Sequence, residues 1–258
     1  MVRVRFAPSP TGPIHIGGVR TALYNYLFKL NKKGKFVLRI EDTDKSRKVD
    51  GAEKYIYDVL DYYKIKVDEG PREGGGLGPY RQSERKEIYD KHIRLLLDKG
   101  CAYYCYASKD ELIKAREDKG FSYNSKTRMM FKNSISLKEE ESLMLKKKNK
   151  YVVRLKVKAG VDLNVTDLLR GTIKVNSDNL EDKILMKEDG LPTYHFANVV
   201  DDHLMRITTV IRGEEWLPSL PTHKLIYESF GWKMPETVHL PLILNPSGSG
   251  KLSKRDAF

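Results

Sequence analysis

The sequence predicts an α/β protein whose parallel sheet comes in two halves, separated by an inserted α+β segment. Three observations predict it. An alternating run, Val2-Arg3-Val4-Arg5-Phe6, leads through a proline-stiffened loop into a helical repeat. A second run of β-formers, Lys35 to Ile40, ends in the acidic stretch Glu41-Asp42-Thr43-Asp44. From about Cys101 to about Gly190 the chain turns lysine-rich and less regular, and clean strand and helix signals resume at Leu191.

The first helix is expected from Val19, Ala22, Leu23, Tyr26, Leu27 and Leu30, the i, i+3, i+4 spacing of one apolar face, with Gly34 as its stop. The loop before it, Ala7-Pro8-Ser9-Pro10-Thr11-Gly12-Pro13-Ile14-His15-Ile16-Gly17-Gly18, ends in two glycines with a histidine just ahead. A helix N-terminus offers unpaired N–H groups and partial positive charge, which suits a phosphate. Glycines let a base or phosphate approach the backbone, and His15 can donate a hydrogen bond into the same space.

The acids closing the second strand sit where open parallel sheets bind ligands. A helix then follows over Ala52, Tyr55, Ile56, Val59, Leu60 and Tyr63. Gly74 to Gly78 reads as a flexible connection, since no lysine–serine pair follows to make a phosphate loop. Another helix carries Ile88, Leu95 and Leu96 on its apolar side and stops at Gly100.

Within the insertion, Ser136 and Glu139 have capping-box spacing before a short helix. Tyr151–Val157 and Gly171–Val175 read as strands, and Lys146-Lys147-Lys148-Asn149-Lys150 as a charged loop. The resumed segment, Leu191 to His203, crowds polar groups into an apolar stretch. Tyr194 and Asn198, four apart, share one helix face, and Asp201, Asp202 and His203 add ionisable groups. A strand then ends at Arg212, a residue suited to bidentate recognition of a carboxylate.

Composition bounds the partners. The 258 residues suffice for one large domain or two modest ones, and 32% charged with 40% hydrophobic residues describes a soluble chain with a core. Lysine and arginine (47) against aspartate and glutamate (35) leave +12, which favours a polyanion such as nucleic acid. Cys101 and Cys105 are half of a zinc site, and no further cysteine or spaced histidine pair follows, so no structural zinc is expected. The cysteines then stand as free thiols of a reducing compartment. Without a signal peptide or apolar span, the expectation is a cytoplasmic protein with no membrane partner, monomeric by default.

Ala7-Pro8-Ser9-Pro10-Thr11-Gly12 followed by His15-Ile16-Gly17-Gly18 resembles the first signature of the class I aminoacyl-tRNA synthetases, in the form carried by their glutamate branch. Gly18 stands where the class pattern usually has a second histidine. Lys251-Leu252-Ser253-Lys254-Arg255 resembles the second signature, usually Lys-Met-Ser-Lys-Ser. The resemblance extends along the chain through Arg39-Ile40-Glu41-Asp42-Thr43-Asp44, Leu191–Asp202 and Val210–Trp216.

It implies a Rossmann-like catalytic domain in halves 1–100 and 191–258, split by a tRNA acceptor-binding subdomain, 101–190. It implies activation of L-glutamate with ATP and Mg2+, then transfer to the 3′ end of tRNA(Glu). An amino-acid pocket of Arg5, Ser9, Glu41, Tyr194, Asn198 and Arg212 follows, with the arginines toward a side-chain carboxylate and Glu41 toward the ammonium. ATP falls to Pro8, Thr11, Gly12, His15, Gly17, Gly18, Lys251, Ser253 and Lys254. Among these, His15, Lys251 and Lys254 stabilise phosphate charge, two lysines on a mobile loop being suited to departing pyrophosphate. Some relatives bind zinc near Cys105; Ala107 and Tyr123 to Met129 stand where further ligands would fall. Full-length relatives continue into an anticodon-binding domain, so the chain is expected to be their catalytic part. A compact synthetase that charges queuosine-bearing tRNA(Asp), and a non-catalytic tRNA-binding fragment, stay open as alternatives.

Overall fold

A computed structural model describes residues 1–44, 49–148 and 150–244. Strand β1 (Arg3–Phe6) runs through the proline loop into α1 (Ile16–Asn31), and β2 (Lys35–Leu38) returns parallel to β1, with Arg3 opposite Lys35 and Phe6 opposite Leu38. Helices α2 (Ala52–Tyr62) and α3 (Lys86–Asp98) follow, each close to its expected span.

The middle of the chain holds β3 (Ala102–Cys105), α4 (Lys109–Arg116), α5 (Glu139–Lys147), β4 (Val152–Leu155), β5 (Asp162–Asp167), β6 (Gly171–Asn176) and β7 (Ile184–Met186). Strands β3, β4 and β7 form an antiparallel sheet with β4 at its centre, and β5–β6 is a separate hairpin. Then come α6 (Tyr194–Leu204), β8 (Thr209–Gly213), α7 (Leu220–Phe230) and β9 (Glu236–Leu240), with β8 and β9 parallel.

The two parallel pairs lie side by side. Thr208 N donates to Arg3 O at 2.9 Å, and Arg3 N donates to Thr208 Oγ1 at 2.9 Å. The sheet is therefore assembled from the two ends of the described chain. One apolar cluster packs Val4, Phe6, Phe36, Leu38 and Ile40 against Ile56 and Leu60 of α2. A second joins Leu96 of α3, Leu155 and Leu185 of the inserted sheet, and Phe196 and Phe230 of α6 and α7. The insertion thus shares its core with the second half of the sheet.

Four local expectations need correction. Only part of the expected apolar stripe of α1 is buried: Ala22 is, and Tyr26 packs on the core, whereas Leu23, Leu27 and Leu30 are 40–51% exposed and Asn25, outside the stripe, is buried. Small Ala22 lets the helix lie against the strands, and the Asn25 amide donates to Ile211 O at 3.0 Å and to Thr21 O at 2.9 Å. A buried polar group with partners costs little, so a polar residue can define the inward face. In α3, Leu95 is exposed and Tyr89, His92, Ile93 and Leu96 are buried.

Ser136 does not cap α5. The N-cap is Lys138, without a side-chain bond, and the Ser136 hydroxyl is drawn into the turn around Asn133. A complete capping box forms instead at α4, from Ser108 and Glu111. The fourth correction, at the start of α1, belongs to the site.

Candidate active site

The loop from β1 to α1, the end of β2, the start of α6 and the end of β8 enclose one cavity of about 640 Å³. It is lined by Arg5, Pro8, Ser9, Thr11, Gly12, His15, Gly17 and Gly18 from the first part of the chain, by Glu41 after β2, and by Tyr194, Asn198 and Arg212. Every expected site residue within the described part of the chain therefore faces one space. Lys251, Ser253 and Lys254 lie outside the described residues.

The loop is held by its backbone: Glu41 N donates to Pro8 O at 3.0 Å, tying it to the end of β2. Gly12 takes φ +117, which L side chains rarely adopt. A Cβ on Gly18 would stand 2.8 Å from Ile14 Cγ2, so the loop and the first helical turn touch where the glycine is.

His15 is the N-cap of α1. Its Nδ1 accepts from Gly17 N at 3.0 Å, and its carbonyl accepts from Gly18 N at 2.7 Å and Val19 N at 3.2 Å. The expectation of unpaired amides waiting for phosphate is thus corrected in part: Gly17 N and Gly18 N are satisfied by His15, and Val19 N makes the first regular helical bond. Capping stabilises the helix end whether or not a ligand is present. The same bond settles the imidazole. A backbone N–H can only donate, so Nδ1 is the unprotonated nitrogen and Nε2 carries the ring proton of the neutral form.

Glu41 does not stand alone. Arg39 Nη2 donates to its Oε1 at 3.0 Å, and the Asn198 amide reaches the same oxygen at 3.4 Å. Burial pushes the Glu41 carboxyl above its ordinary range, and Arg39 opposes that push. Arg39 is fully buried and also donates through Nη1 to Asp202 at 2.7 Å. Asp202 takes Arg5 Nε as well, at 3.1 and 3.2 Å on its two oxygens. Burial would raise the Asp202 carboxyl, but Arg5 and Arg39 outweigh it and hold it low. Neighbouring Asp201 accepts from Arg85 Nε at 2.7 Å, Gln82 Nε2 at 2.8 Å and Tyr89 Oη at 2.8 Å. Beneath the cavity, three guanidinium groups therefore meet three carboxylates.

Arg212 is gripped differently. Its Nη1 donates to Tyr194 Oη at 2.7 Å and its Nε to His239 Nε2 at 2.9 Å. Burial lowers the Arg212 guanidinium and pushes the Tyr194 hydroxyl up to about 12. Trp216 lies against Tyr194 with ring centres 4.3 Å apart. No carboxylate pairs directly with Arg212 among the described residues, so this cavity wall carries a cation held by neutral partners. A carboxylate entering there would gain a charge-assisted bond.

The cavity floor is anionic charge already paired by Arg5 and Arg39, one wall is cationic, and the mouth is the His15 loop. The expected residues thus share one space, with Arg5, expected toward a substrate carboxylate, paired to Asp202 instead. Over residues 1–258 the chain also matches the family described as tRNA synthetases class I (E and Q), catalytic domain. It belongs to that family. This catalytic domain is 55% identical over 261 residues to the glutamate–tRNA ligase of Christiangramia forsetii, covering 99% of this chain and 52% of that protein. It is 55% identical over 260 residues to that of Bacteroides fragilis, with the same two shares. The chain spans about half the length of the curated relatives it matches.

Among solved structures, a glutamate tRNA ligase from Elizabethkingia meningosepticum in complex with its amino acid is 53% identical with a TM-score of 0.96, over 99% of this chain and 52% of that one. The glutamate-tRNA synthetase of Elizabethkingia anophelis is 53% identical with a TM-score of 0.95, covering 99% and 53%. The likeness fixes the catalytic domain as a class I, Rossmann-like α/β fold.

Sequence reasoning missed Arg39, Asp167 and His239 as parts of the site's support. Arg39 was signalled only as a charge inside an apolar run. Nothing in the spacing of Asp167 or His239 marks either residue, because their partners are distant in sequence. Cys105 Sγ lies 3.3 Å from the Tyr123 hydroxyl, in a cluster with Tyr103 and Phe131. Among the described residues no group of three or more His, Cys, Asp or Glu side chains is placed to hold a metal, and no helix is long and apolar enough to cross a membrane.

Proposed function

We propose that this domain performs the chemistry of a glutamate–tRNA ligase. The glutamate α-carboxylate attacks the α-phosphorus of ATP, giving glutamyl-adenylate and pyrophosphate, and the acyl group then passes to the terminal ribose of tRNA(Glu). The observation that carries this reading is the convergence of Arg5, Ser9, Glu41, Tyr194, Asn198 and Arg212 on the cavity that the His15 loop closes.

Arg212 supplies the cation for the substrate's side-chain carboxylate, and Glu41 with Asn198 the acceptors for its ammonium. A neutral glutamine side chain would leave the Arg212 charge buried and uncompensated, which is the basis of discrimination. His15 Nε2–H is the donor toward ATP. Lys251, Ser253 and Lys254 enter from the resemblance of their motif, as groups that offset charge on departing pyrophosphate. Catalysis in this reading is by positioning and electrostatics, without a protein nucleophile.

Mg2+ would enter with ATP and would supply positive charge against its phosphates. Residues 101–190 take the acceptor end of the tRNA, a role that the basic Lys146 and Lys147 at the end of α5 suit. The compartment is the cytoplasm.

The test is transfer of radiolabelled glutamate to acid-precipitable tRNA with ATP and Mg2+, in the wild type and in Arg212→Gln. Charging of tRNA(Glu) that disappears with the substitution is the expected result. Charging confined to queuosine-bearing tRNA(Asp) would move the substrate to that tRNA. Binding of tRNA without charging would reduce the chain to a binding fragment.

A further inference from the structure

Arg212 Nε donates to His239 Nε2 at 2.9 Å, and His239 Nδ1 lies 2.7 Å from Asp167 Oδ2. The direction of both bonds follows from one fact: an arginine nitrogen can only donate. His239 Nε2 must therefore hold its lone pair toward Arg212, which puts the ring proton on Nδ1, donated to Asp167. Asp167 is fixed in turn, with Oδ1 accepting from Leu169 N at 3.0 Å and Arg170 N at 3.1 Å, and Oδ2 accepting from His239 N at 2.9 Å. Both Asp167 and His239 are fully buried.

Asp167 closes β5, in the inserted hairpin, and His239 lies on β9. The hairpin is docked on β9 beside them, with Leu168 N donating to Thr237 O at 2.8 Å and Thr237 Oγ1 donating to Thr166 O at 2.8 Å. A line of directed bonds thus runs from the insertion through one neutral imidazole to the cation of the cavity. Burial keeps His239 toward its neutral form, while Asp167 acts against that and Arg212 with it. A protonated ring would turn an N–H toward the Arg212 N–H and remove its acceptor.

We propose that Asp167 and His239 are positioning residues for Arg212: they orient its guanidinium for the substrate's side-chain carboxylate and make that orientation depend on the seating of the β5–β6 hairpin. The proposal rests on the functional reading above. Neither residue lines the cavity, so each acts through Arg212.

The experiment compares two isosteric replacements in the full chain. His239→Gln can return an acceptor at the Nε2 position; His239→Asn can return the donor to Asp167 but offers Arg212 nothing. Calorimetric titration with L-glutamate and, separately, with ATP is the readout. Expected is a loss of glutamate affinity of about tenfold or more in His239→Asn and a smaller loss of about threefold in His239→Gln, which keeps the acceptor for Arg212 and gives up the bond to Asp167, with ATP affinity unchanged in both. Rescue by Asn rather than Gln would mean that the pair only pins the hairpin, and would overturn the proposal. In the wild type, imidazole 15N resonances give a second test that needs neither ligand nor variant: Nε2 of His239 is expected unprotonated and Nδ1 protonated at neutral pH. The reverse tautomer would sink the proposal. A wild type that binds no glutamate but shows the expected tautomer would count against the functional reading and leave the bond directions standing.

Discussion

Asp202 receives Arg5 Nε at 3.1 Å across 197 residues of sequence, with both side chains under 5% exposed. The same carboxylate holds Arg39, so two buried cations depend on one anion. Removing it leaves Arg5 without its paired anion in a low-dielectric interior and Arg39 with Glu41 and the more distant Asp201. Asp202→Ala is expected to destabilise the domain by about 3–5 kcal/mol, read as a lower urea midpoint. A loss under about 1 kcal/mol would mean that water reaches the pair and the charges are not buried together.

Acid should weaken the fold through histidine as well as carboxylate. Burial lowers His195 to about 4 and holds His203, His223 and His239 below their ordinary value. The unfolded chain then binds more protons than the folded one below pH ~6.5, so stability rises with pH in that range. It is full above pH ~6.5 and lost as the pH falls toward 4, by at most ~1.4 kcal/mol per pH unit for each histidine. His195→Gln should flatten the slope of unfolding free energy against pH between 4.5 and 6.5. An unchanged slope would mean that His195 protonates freely in the folded state.

His15 caps α1 and, in the proposed function, donates to ATP, two roles that substitution can separate. His15→Asn keeps a good N-cap for Gly17 N and removes the Nε2 donor; His15→Ala removes both. Asn should melt within about 1 °C of wild type, whereas Ala should lose roughly 1 kcal/mol, and both should lose adenylate formation. Activity retained in Asn would put the phosphate donor elsewhere.

Arg212→Lys keeps the charge and discards the fork. A lysine ammonium cannot hold Tyr194, His239 and a substrate carboxylate in the same fixed geometry. Glutamate affinity should fall by about ten- to a hundredfold with ATP affinity unchanged, as titration calorimetry would measure. Equal affinity in the variant would mean that the carboxylate is met by another cation.

Much of the site was legible because its parts are local. The Ala7–Gly18 loop, the Glu41 strand end, the Tyr194 and Asn198 helix face and the Arg212 strand end each sit at the terminus of an element that a short window of sequence defines. Period and turn chemistry place such residues at the sheet's edge without knowledge of any partner. The inward face of α1 was only partly legible, since apolar period pointed to Ala22 together with Leu23 and Leu27, while packing kept Ala22, exposed the two leucines and added Asn25. Asn25 is tolerated inside because its amide protons find Thr21 O in the same helix and Ile211 O, 186 residues away.

By itself, then, the sequence determined the elements that carry the cavity residues, their order and the identity of those residues, while β3, α4, β5, β7, α7 and β9 were not read from it. Tertiary structure alone decided how those groups are charged, paired and aimed. Arg39 could have faced water; it is buried because Asp202 arrives from a distant segment and, with Glu41 two residues further on, neutralises it. His15 could have left its amides open; the turn instead folds the ring onto Gly17 N and fixes which nitrogen donates. Arg212 gains its acceptor from β9 and, behind that, its anchor from an inserted hairpin. A local window carries period and propensity, whereas a buried charge is set by whatever lies within about 4 Å of it, and the chain brings that neighbour from anywhere along its length.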